Sequence, residues 1–541
     1  MSRVIVLDDL AREGLDVLST EGVDYEVRTG LKGAPLREAL TGFDGAICRS
    51  GVTLSADVLQ GNRRLKAIVR AGVGADNIDK TAATRQGIAV MNTPAGNTLS
   101  TCEHTFALML ALSRNVVPAC QSLFDGRWDR KSYMGSQLAD KTLGIVGVGR
   151  IGQEVAKRAL AFQMRVIGFD PFLSAERAAE LGVELAENVH DMLHKVDYLS
   201  VHTPLTSETK SLIGRAEVEL LKPGARLVNC ARGGIFDERA LVEGIKSGKL
   251  AGVALDVYEK EPCTDSPLFG LPGVLCTPHL GASTEEAQTQ VAVEAANLLV
   301  RYLRTGELRH AINIASVDLA TLEALRGHLN VAYRLGLLLA QWHGSGATSC
   351  RLGYRGEIAT KDTKLLSAAF CCGLLERALD EQVNIINSEV LLRERGIELV
   401  EQCRSDMGAF SSSITAEVVT ERKSYVAGGT LFGNDMPRII RLGDYRLEAY
   451  LDGTLLIFTH VDVPGIIGSV GTIFAAHDVN IAQMAVGRTT DEPGGQAIGV
   501  LNLDGRPPQS AIEAVLAHSD ITSAVVIEMP SAGQRPPWLQ F

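Results

Sequence analysis

His279, Glu261 and Arg232 combine a side chain that titrates near neutrality, a carboxylate and a planar cation. Moving a hydride to or from a carbon that bears a hydroxyl requires a proton to leave or join the same oxygen. Such a site therefore needs an acid/base group poised near pH 7. Histidine suits the task, and a carboxylate that accepts its second N–H fixes the tautomer and favours the protonated form. A guanidinium grips a carboxylate through two parallel hydrogen bonds and polarises an adjacent carbonyl. Each residue alone has a plainer use: His279 in a core or a helix cap, Glu261 in a loop before Pro262, Arg232 in a structural ion pair. Glu259 is a neighbour of Glu261 with similar chemistry. The glycine turn Gly147-Val-Gly-Arg-Ile-Gly152, upstream of all three, points to a dinucleotide and hence to redox chemistry.

A glycine fingerprint carries weight only between a strand and a helix. Residues 142–146 form a short apolar run of buried parallel-strand type, and Val155, Ala156, Ala159, Leu160 and Phe162 then recur at helical spacing. In that setting Gly147 permits the tight turn, Gly149 lets the backbone approach a pyrophosphate, and Gly152 lets the helix pack on the strand. Arg150 and Ile151 open a helix whose N-terminus faces the anion. A second run, 165–169, ends at Asp170, spaced to hydrogen-bond a ribose 2′-hydroxyl and to repel a 2′-phosphate, which favours NAD over NADP. The run 274–276 reads as a strand that puts His279 at its carboxyl end beside the cofactor crevice, and 226–229 does the same for Arg232.

At 541 residues with 46% hydrophobic content, the chain has room for three or four packed domains. A net charge of −11 offers no field for nucleic acid or an anionic membrane, so any phosphate site must come from local arginines. The first residues turn acidic too early for a signal peptide, and no apolar run approaches membrane-spanning length, so a cytoplasmic protein is expected. Ten cysteines are scattered with no C-x-x-C pair; they suggest neither a metal site nor a disulfide framework, and most read as buried small hydrophobes. Strand-like runs at 4–7, 46–48 and 67–69 mark an α/β unit ahead of the fingerprint. A helix over 100–113 leads into the nucleotide unit, and one over 284–303 returns to the first, leaving a cleft between two lobes. The stretch 317–450 mixes helix and strand without a reactive cluster, and 453–527 reads strand, helix, strand, strand, helix, strand, a split βαβ.

Taken together, Gly147 to Gly152, His202-Thr-Pro204, the run 229–234, Ala254-Leu-Asp256, Glu261-Pro262 and the run 278–283 resemble the D-isomer-specific 2-hydroxy acid dehydrogenases. Within them the match is to the long form of the D-3-phosphoglycerate dehydrogenases, over most of the chain. The resemblance implies an α/β fold with two Rossmann-like lobes, a discontinuous substrate domain (1–97 and 284–316) and an NAD-binding domain (98–283). An α+β intervening domain (317–450) and a ferredoxin-like ACT domain (451–541) follow. It implies that Arg232 orients substrate, Glu261 tunes His279, and His279 is the acid/base. Thr203, Cys230, Ala231, Asp256, Gly281 and Ala282 would join Arg232 and His279 in lining NAD.

Arg49, Ser50, Arg70 and Asn97 resemble the family's substrate loops and would hold 3-phosphoglycerate; Ala95 stands where some relatives carry a polar residue. In the ACT segment, His460, Asp462 and Asn480 would hold an amino acid, serine by analogy, with backbone donors in the turn 464–467 facing its carboxylate. Asp462 replaces an asparagine of some relatives. A homo-oligomer, dimer or tetramer, is implied, and 128–131 resembles a segment that reaches a neighbouring subunit. Two other readings stay open: a hydroxypyruvate or glyoxylate reductase, and a non-catalytic NADH-sensing binding protein.

Overall fold

Short β-branched runs separated by amphipathic helices build two parallel sheets, one for each lobe. The computed structural model describes residues 2–539 apart from 315–316, 344–346, 380–381, 422 and 490–493. In the first lobe five parallel strands lie in the order Asp24–Val27, Arg3–Val6, Gly45–Cys48, Ala67–Arg70, Ala89–Asn92. The order reverses between Arg3–Val6 and Gly45–Cys48, and ligands of such sheets bind beyond the carboxyl ends at that switch. Asp8 and Arg49 stand there.

The second lobe has seven parallel strands: Val274–Cys276, Leu250–Leu255, Ala225–Asn229, Tyr198–Val201, Thr142–Val146, Arg165–Phe169 and Glu184–Leu185. Its switch falls between Thr142–Val146 and Tyr198–Val201, which brings the glycine loop against His202 and Thr203. The helix Arg150–Ala161 buries Val155, Ala156 and Ala159 as the spacing predicts. Leu160 and Phe162 depart from that pattern: both are exposed, because Leu160 lies off the buried stripe and Phe162 already caps the helix, stacked on Phe106.

Two helices join the lobes. Thr98–Ser113 buries Phe106, Leu108, Met109 and Leu112 in the same cluster as Leu143 and Ile145 of the nucleotide sheet. Glu285–Thr305 starts on a Thr284 hydroxyl that accepts the Ala287 N–H at 3.2 Å and stops at Gly306 in the left-handed conformation. Its stripe of Val291, Ala295 and Leu299 packs on Val4, Val6 and Met91 of the first sheet. Burying Leu299 contributes about 1.5–3 kcal/mol. A Cβ at Gly45 would lie 2.9 Å from its Cδ1, so the strand passes closer than any larger residue permits.

Beyond 317 the long helix Leu319–His343 crosses Lys364–Leu375, which is buried along its whole length from Leu365. Glycines let the two backbones touch: a Cβ at Gly373 would lie 1.9 Å from the Tyr333 carbonyl oxygen. The six elements expected in 453–527 are all present, with strands in the order Ile481–Arg488, Gln496–Leu503, Thr454–Val461, Ile521–Glu528. The intervening and ACT segments, read as separate units, share one ten-stranded sheet, because Tyr445–Tyr450 meets Ile481–Arg488 at the pair Arg446–Arg488. Arg334, fully buried, ties them further: its guanidinium donates to the carbonyls of Leu451, Pro530, Ser531 and Gln534 at 2.6–3.0 Å. A buried cation is tolerable when its N–H groups find such acceptors.

Candidate active site

His279 follows the strand Val274–Cys276 in the left-handed backbone region, with φ of +55°. Its Nδ1 lies 2.7 Å from Glu261 Oε2, and Glu261 Oε1 accepts the Tyr258 N–H at 3.0 Å. The carboxylate is thus held on both sides, and Nε2 is left as the ring atom free to exchange a proton. Partial burial works to raise the Glu261 carboxyl. The hydrogen bond and charge of His279, with the Tyr258 N–H, outweigh it and hold the group below the usual carboxylate range.

A fully buried carboxylate anchors the loop that carries His279. Asp256 accepts from Thr277 Oγ1 at 2.6 Å, Leu280 N at 2.7 Å, Gly281 N at 2.8 Å and His104 Nε2 at 3.2 Å. Burial opposes its ionisation, and these donors prevail and keep it low. Ser100 and Thr101 hydroxyls donate to the Gly281 carbonyl at 2.8 and 3.1 Å, fastening the loop to the helix that enters this lobe. Asp256 and Gly281 are thus joined to each other and hold the loop that carries His279. His104, Thr277, Ser100 and Thr101 carry no role in the sequence reading, because they lie among the polar residues of the first turns of Thr98–Ser113 and in a loop, where no local pattern sets them apart.

Arg232 reaches across the cleft. Its Nε donates to Asp76 of the first lobe at 3.0 Å and its Nη1 to the Ala231 carbonyl at 2.6 Å. A Cβ at Gly74 would sit 1.8 Å from Nη2, so only glycine leaves the guanidinium its place. Arg70, at the carboxyl end of its strand, gives Nη1 to the Ala71 carbonyl at 3.2 Å, while its buried Nε has no protein partner. Desolvation chiefly, then the like charges of Arg232 and Arg49, press the Arg70 guanidinium below its usual range, with the Cys48 thiol acting the other way. Three cations from two lobes therefore share one field. Arg49 is set by Asp8, which accepts its backbone N–H at 2.5 Å, and by the Asp9 carbonyl, 3.2 Å from Nη1. Ser50 is exposed beside it. Asn97 opens the helix Thr98–Ser113 without a side-chain cap, and its Oδ1 is buried and unpartnered. Unsatisfied polar atoms of this kind mark places where a ligand completes the bonding.

The glycine loop fits a dinucleotide on steric grounds. Gly147 has φ of +88°, and a Cβ there would meet the His202 carbonyl oxygen at 2.7 Å; a Cβ at Gly152 would meet the Gly147 carbonyl oxygen at 2.1 Å. Around Gly149 the space is open, as a pyrophosphate requires. Arg150 is exposed at the helix start and Ile151 is half-buried behind it. Asp170 holds the loop from the next strand, accepting Val148 N and Phe172 N at 2.9 Å each. The Thr203 hydroxyl and His202 Nδ1 are buried without partners, and burial depresses His202 to about 4, so its imidazole is neutral. Burial pushes the Cys230 thiol up to about 12, which makes it an unreactive wall beside Ala231. The Ala282 carbonyl is fixed by Gln288 Nε2 at 2.6 Å. Six of the ten cysteines are buried, Cys48, Cys102, Cys230, Cys350, Cys371 and Cys372.

Comparison with known proteins accounts for nearly the whole chain. Residues 106–281 match the NAD binding domain of D-isomer specific 2-hydroxyacid dehydrogenases, 324–443 the D-3-phosphoglycerate dehydrogenase intervening domain, and 454–519 the ACT domain. A D-3-phosphoglycerate dehydrogenase of Archaeoglobus fulgidus is 39% identical over 97% of this chain and 100% of its own length. That of Bacillus subtilis is 38% identical over 98% and 100%. The chain belongs to the D-3-phosphoglycerate dehydrogenase family. Solved structures cover the two dehydrogenase lobes. A Thermus thermophilus protein of 37% identity spans 56% of this chain and 96% of its own, with a TM-score of 0.52. A glyoxylate reductase from Paecilomyes thermophila of 30% identity spans 57% and 98%, with a TM-score of 0.54.

In the ACT domain of this family member the three expected effector residues have partners inside the chain. His460 is buried with Nδ1 2.8 Å from the Val461 carbonyl, and its Nε2 has no protein partner. Asp462 pairs with Arg488 at 2.8 Å, and Asn480 donates to Asp504 at 2.6 Å. Arg488 and Asp504 are absent from the sequence reading, which had no way to pair residues across strands. Pro464 has no N–H, so the turn's donors begin at Gly465, which caps the helix Ile466–Ala476 in the left-handed region.

Proposed function

We propose that this chain catalyses the NAD-dependent oxidation of 3-phospho-D-glycerate to 3-phosphohydroxypyruvate, the entry step of serine synthesis. The observation that carries the reading is the convergence of Arg49, Arg70 and Arg232 on one cleft that also contains the His279–Glu261 pair. A substrate with a carboxylate at one end and a phosphate at the other answers both sets of cations. Arg232 grips the carboxylate and polarises the adjacent C–O bond, and Arg49 and Arg70, with Ser50 and Asn97, take the phosphate. His279 Nε2 removes the hydroxyl proton in oxidation and returns it in reduction; Glu261 keeps Nδ1 protonated and stabilises the imidazolium as it forms. NAD, when bound, supplies the hydride acceptor. Gly147, Gly149, Gly152 and Arg150 would hold its pyrophosphate, Asp170 its ribose, and Thr203, Cys230, Ala231 and Ala282 the wall beside it. Closure of the lobes over both ligands excludes water from the proton transfer.

The division into a substrate domain (1–97 and 284–316), a nucleotide domain (98–283), an intervening domain (317–450) and an ACT domain (451–541) is part of this reading. So is a serine effector on the ACT domain. Exposed Val116, Val117, Phe124, Trp128 and Met134 form an apolar stretch on the nucleotide lobe and support a homo-oligomer. No helix among the described residues is long and apolar enough to cross a membrane; a cytoplasmic enzyme is the corresponding proposal.

NADH formation from 3-phosphoglycerate, D-glycerate and glycolate, with and without serine, tests the assignment. The parent should prefer the phosphorylated acid, and serine should alter its rate. Arg49→Ala and Arg70→Ala should each lower kcat/KM for 3-phosphoglycerate about 10- to 100-fold, the range for lost hydrogen bonds to a charged group. Rates on D-glycerate should change less than about threefold. Equal losses on both acids would remove the phosphate assignment.

A second test removes the charge beside the ring. Glu261 is held below the usual carboxylate range by His279 and the Tyr258 N–H, so it faces the imidazole as an anion. Glu261→Gln keeps the shape of the side chain without its charge, and kcat in both directions should fall about 10- to 100-fold while the Kd for NADH stays within about threefold. Unchanged turnover would mean that the pair seen at 2.7 Å does not govern the proton.

A further inference from the structure

A cavity of about 510 Å³ lies away from the interlobe cleft, where the first lobe, its return helix and the intervening domain meet. Packed interiors leave few voids larger than a water molecule, whereas small-molecule sites occupy about 300–1,000 Å³. Leu308, Leu322, Leu329, Leu365 and Ile386, all buried, give it an apolar floor. Its rim on the first lobe has excess positive charge. Arg64 is paired with Asp44 at 3.3 Å and Lys66 lies in the field of the same carboxylate, so three cations share one acid there, and the exposed side chain of Arg63 has no salt bridge or hydrogen bond among the described residues. The acid on the far side, Glu376, is occupied by the Tyr333 hydroxyl at 2.5 Å. Tyr302 also lines the space, and its phenol has no protein hydrogen bond among the described residues although burial pushes its ionisation well up.

We propose that this cavity is a binding site for a small anionic amphiphile, a medium-chain carboxylate, with its chain on the leucine floor and its head at Arg63 and Lys66. An apolar body alone would satisfy the floor; the excess of Arg63, Arg64 and Lys66 over Asp44 at the mouth selects the charged head. The site adjoins the contact in which Asn384 donates to the Gly87 carbonyl at 2.9 Å, and the strand Ala89–Asn92 that leads to Asn97 starts two residues later. The proposal goes beyond the dehydrogenase reading and does not depend on it.

Calorimetric titration of the full-length protein with decanoate tests it, with 3-phosphoglycerate and NADH present to occupy the cleft. One saturable site is expected, at least tenfold weaker for decanol and for acetate. Val383→Trp, which fills the cavity, should abolish binding, and Arg63→Glu with Lys66→Glu should weaken it at least tenfold. Tyr302→Phe, a smaller change for use if the filled variant fails to fold, should weaken it about threefold or more. The fluorescence of Trp538, which lines the cavity, should change with the same midpoint and not in Trp538→Phe. Absence of a saturable site, decanol binding as tight as decanoate, displacement by 3-phosphoglycerate, or binding that survives both the filled and the charge-reversed variants would each overturn the proposal.

Discussion

His279→Ala is expected to lower turnover about 10³- to 10⁴-fold in both directions while the Kd for NADH changes less than about threefold. The size follows from what the ring does: one nitrogen is held by Glu261 at 2.7 Å, and the other is left to exchange the proton. The fold should survive. The ring is half-exposed, Glu261 keeps its bond to Tyr258 N, and the loop remains anchored by Asp256 through Leu280 and Gly281. The cradle for the cofactor lies at Gly147–Gly152, built on other strands, so its affinity has no reason to fall. His279→Asn is the informative partner. Asparagine suits a φ of +55° better than alanine and donates a hydrogen bond to Glu261, but cannot titrate. It should be as inactive as the alanine variant. Activity within tenfold of the parent in either variant, measured by stopped-flow hydride transfer, would assign the proton to another group.

The order of apolar runs made the two lobes, the joining helices and the ACT topology legible, because burial on both faces of a parallel sheet imposes continuous short runs and burial on one face imposes alternation. The bounds of Thr142–Val146, Arg165–Phe169 and Val274–Cys276 could be read to the residue, since Gly147 and Asp170 close the first two and Gly273 and Pro278 flank the third. What stayed hidden was pairing across sequence distance. Nothing in the neighbourhood of Asp76 announces Arg232, 156 positions away, and nothing near Ser100 announces the Gly281 carbonyl. The shared sheet of the intervening and ACT segments rests on the meeting of Arg446 with Arg488, which no local pattern encodes. The glycines at 74, 336 and 373 look like ordinary helix or loop residues in sequence; each is required by a neighbour that arrives from a distant segment.

Arg232→Ala should reduce kcat/KM about 10³-fold for phosphorylated and unphosphorylated 2-hydroxy acids alike, the scale for truncating one member of a desolvated, hydrogen-bonded charge pair. The argument turns on which end of the substrate the residue serves. Arg232 is carried by the nucleotide lobe, which also carries the His279 loop, and its guanidinium reaches across the cleft to Asp76, whereas Arg49 and Arg70 belong to the first sheet. The ratio of kcat/KM for 3-phosphoglycerate to that for D-glycerate should therefore be nearly unchanged in this variant, although it collapses in Arg49→Ala and Arg70→Ala. Stability should change little, because Asp76 is largely exposed and water replaces its lost partner. Arg232→Lys should recover less than about tenfold of the loss. An ammonium cannot offer two parallel N–H groups to a carboxylate while also reaching Asp76 and the Ala231 carbonyl. If Arg232→Ala instead lowers the ratio, the guanidinium is bound to the phosphate, and the substrate lies in the cleft the other way round.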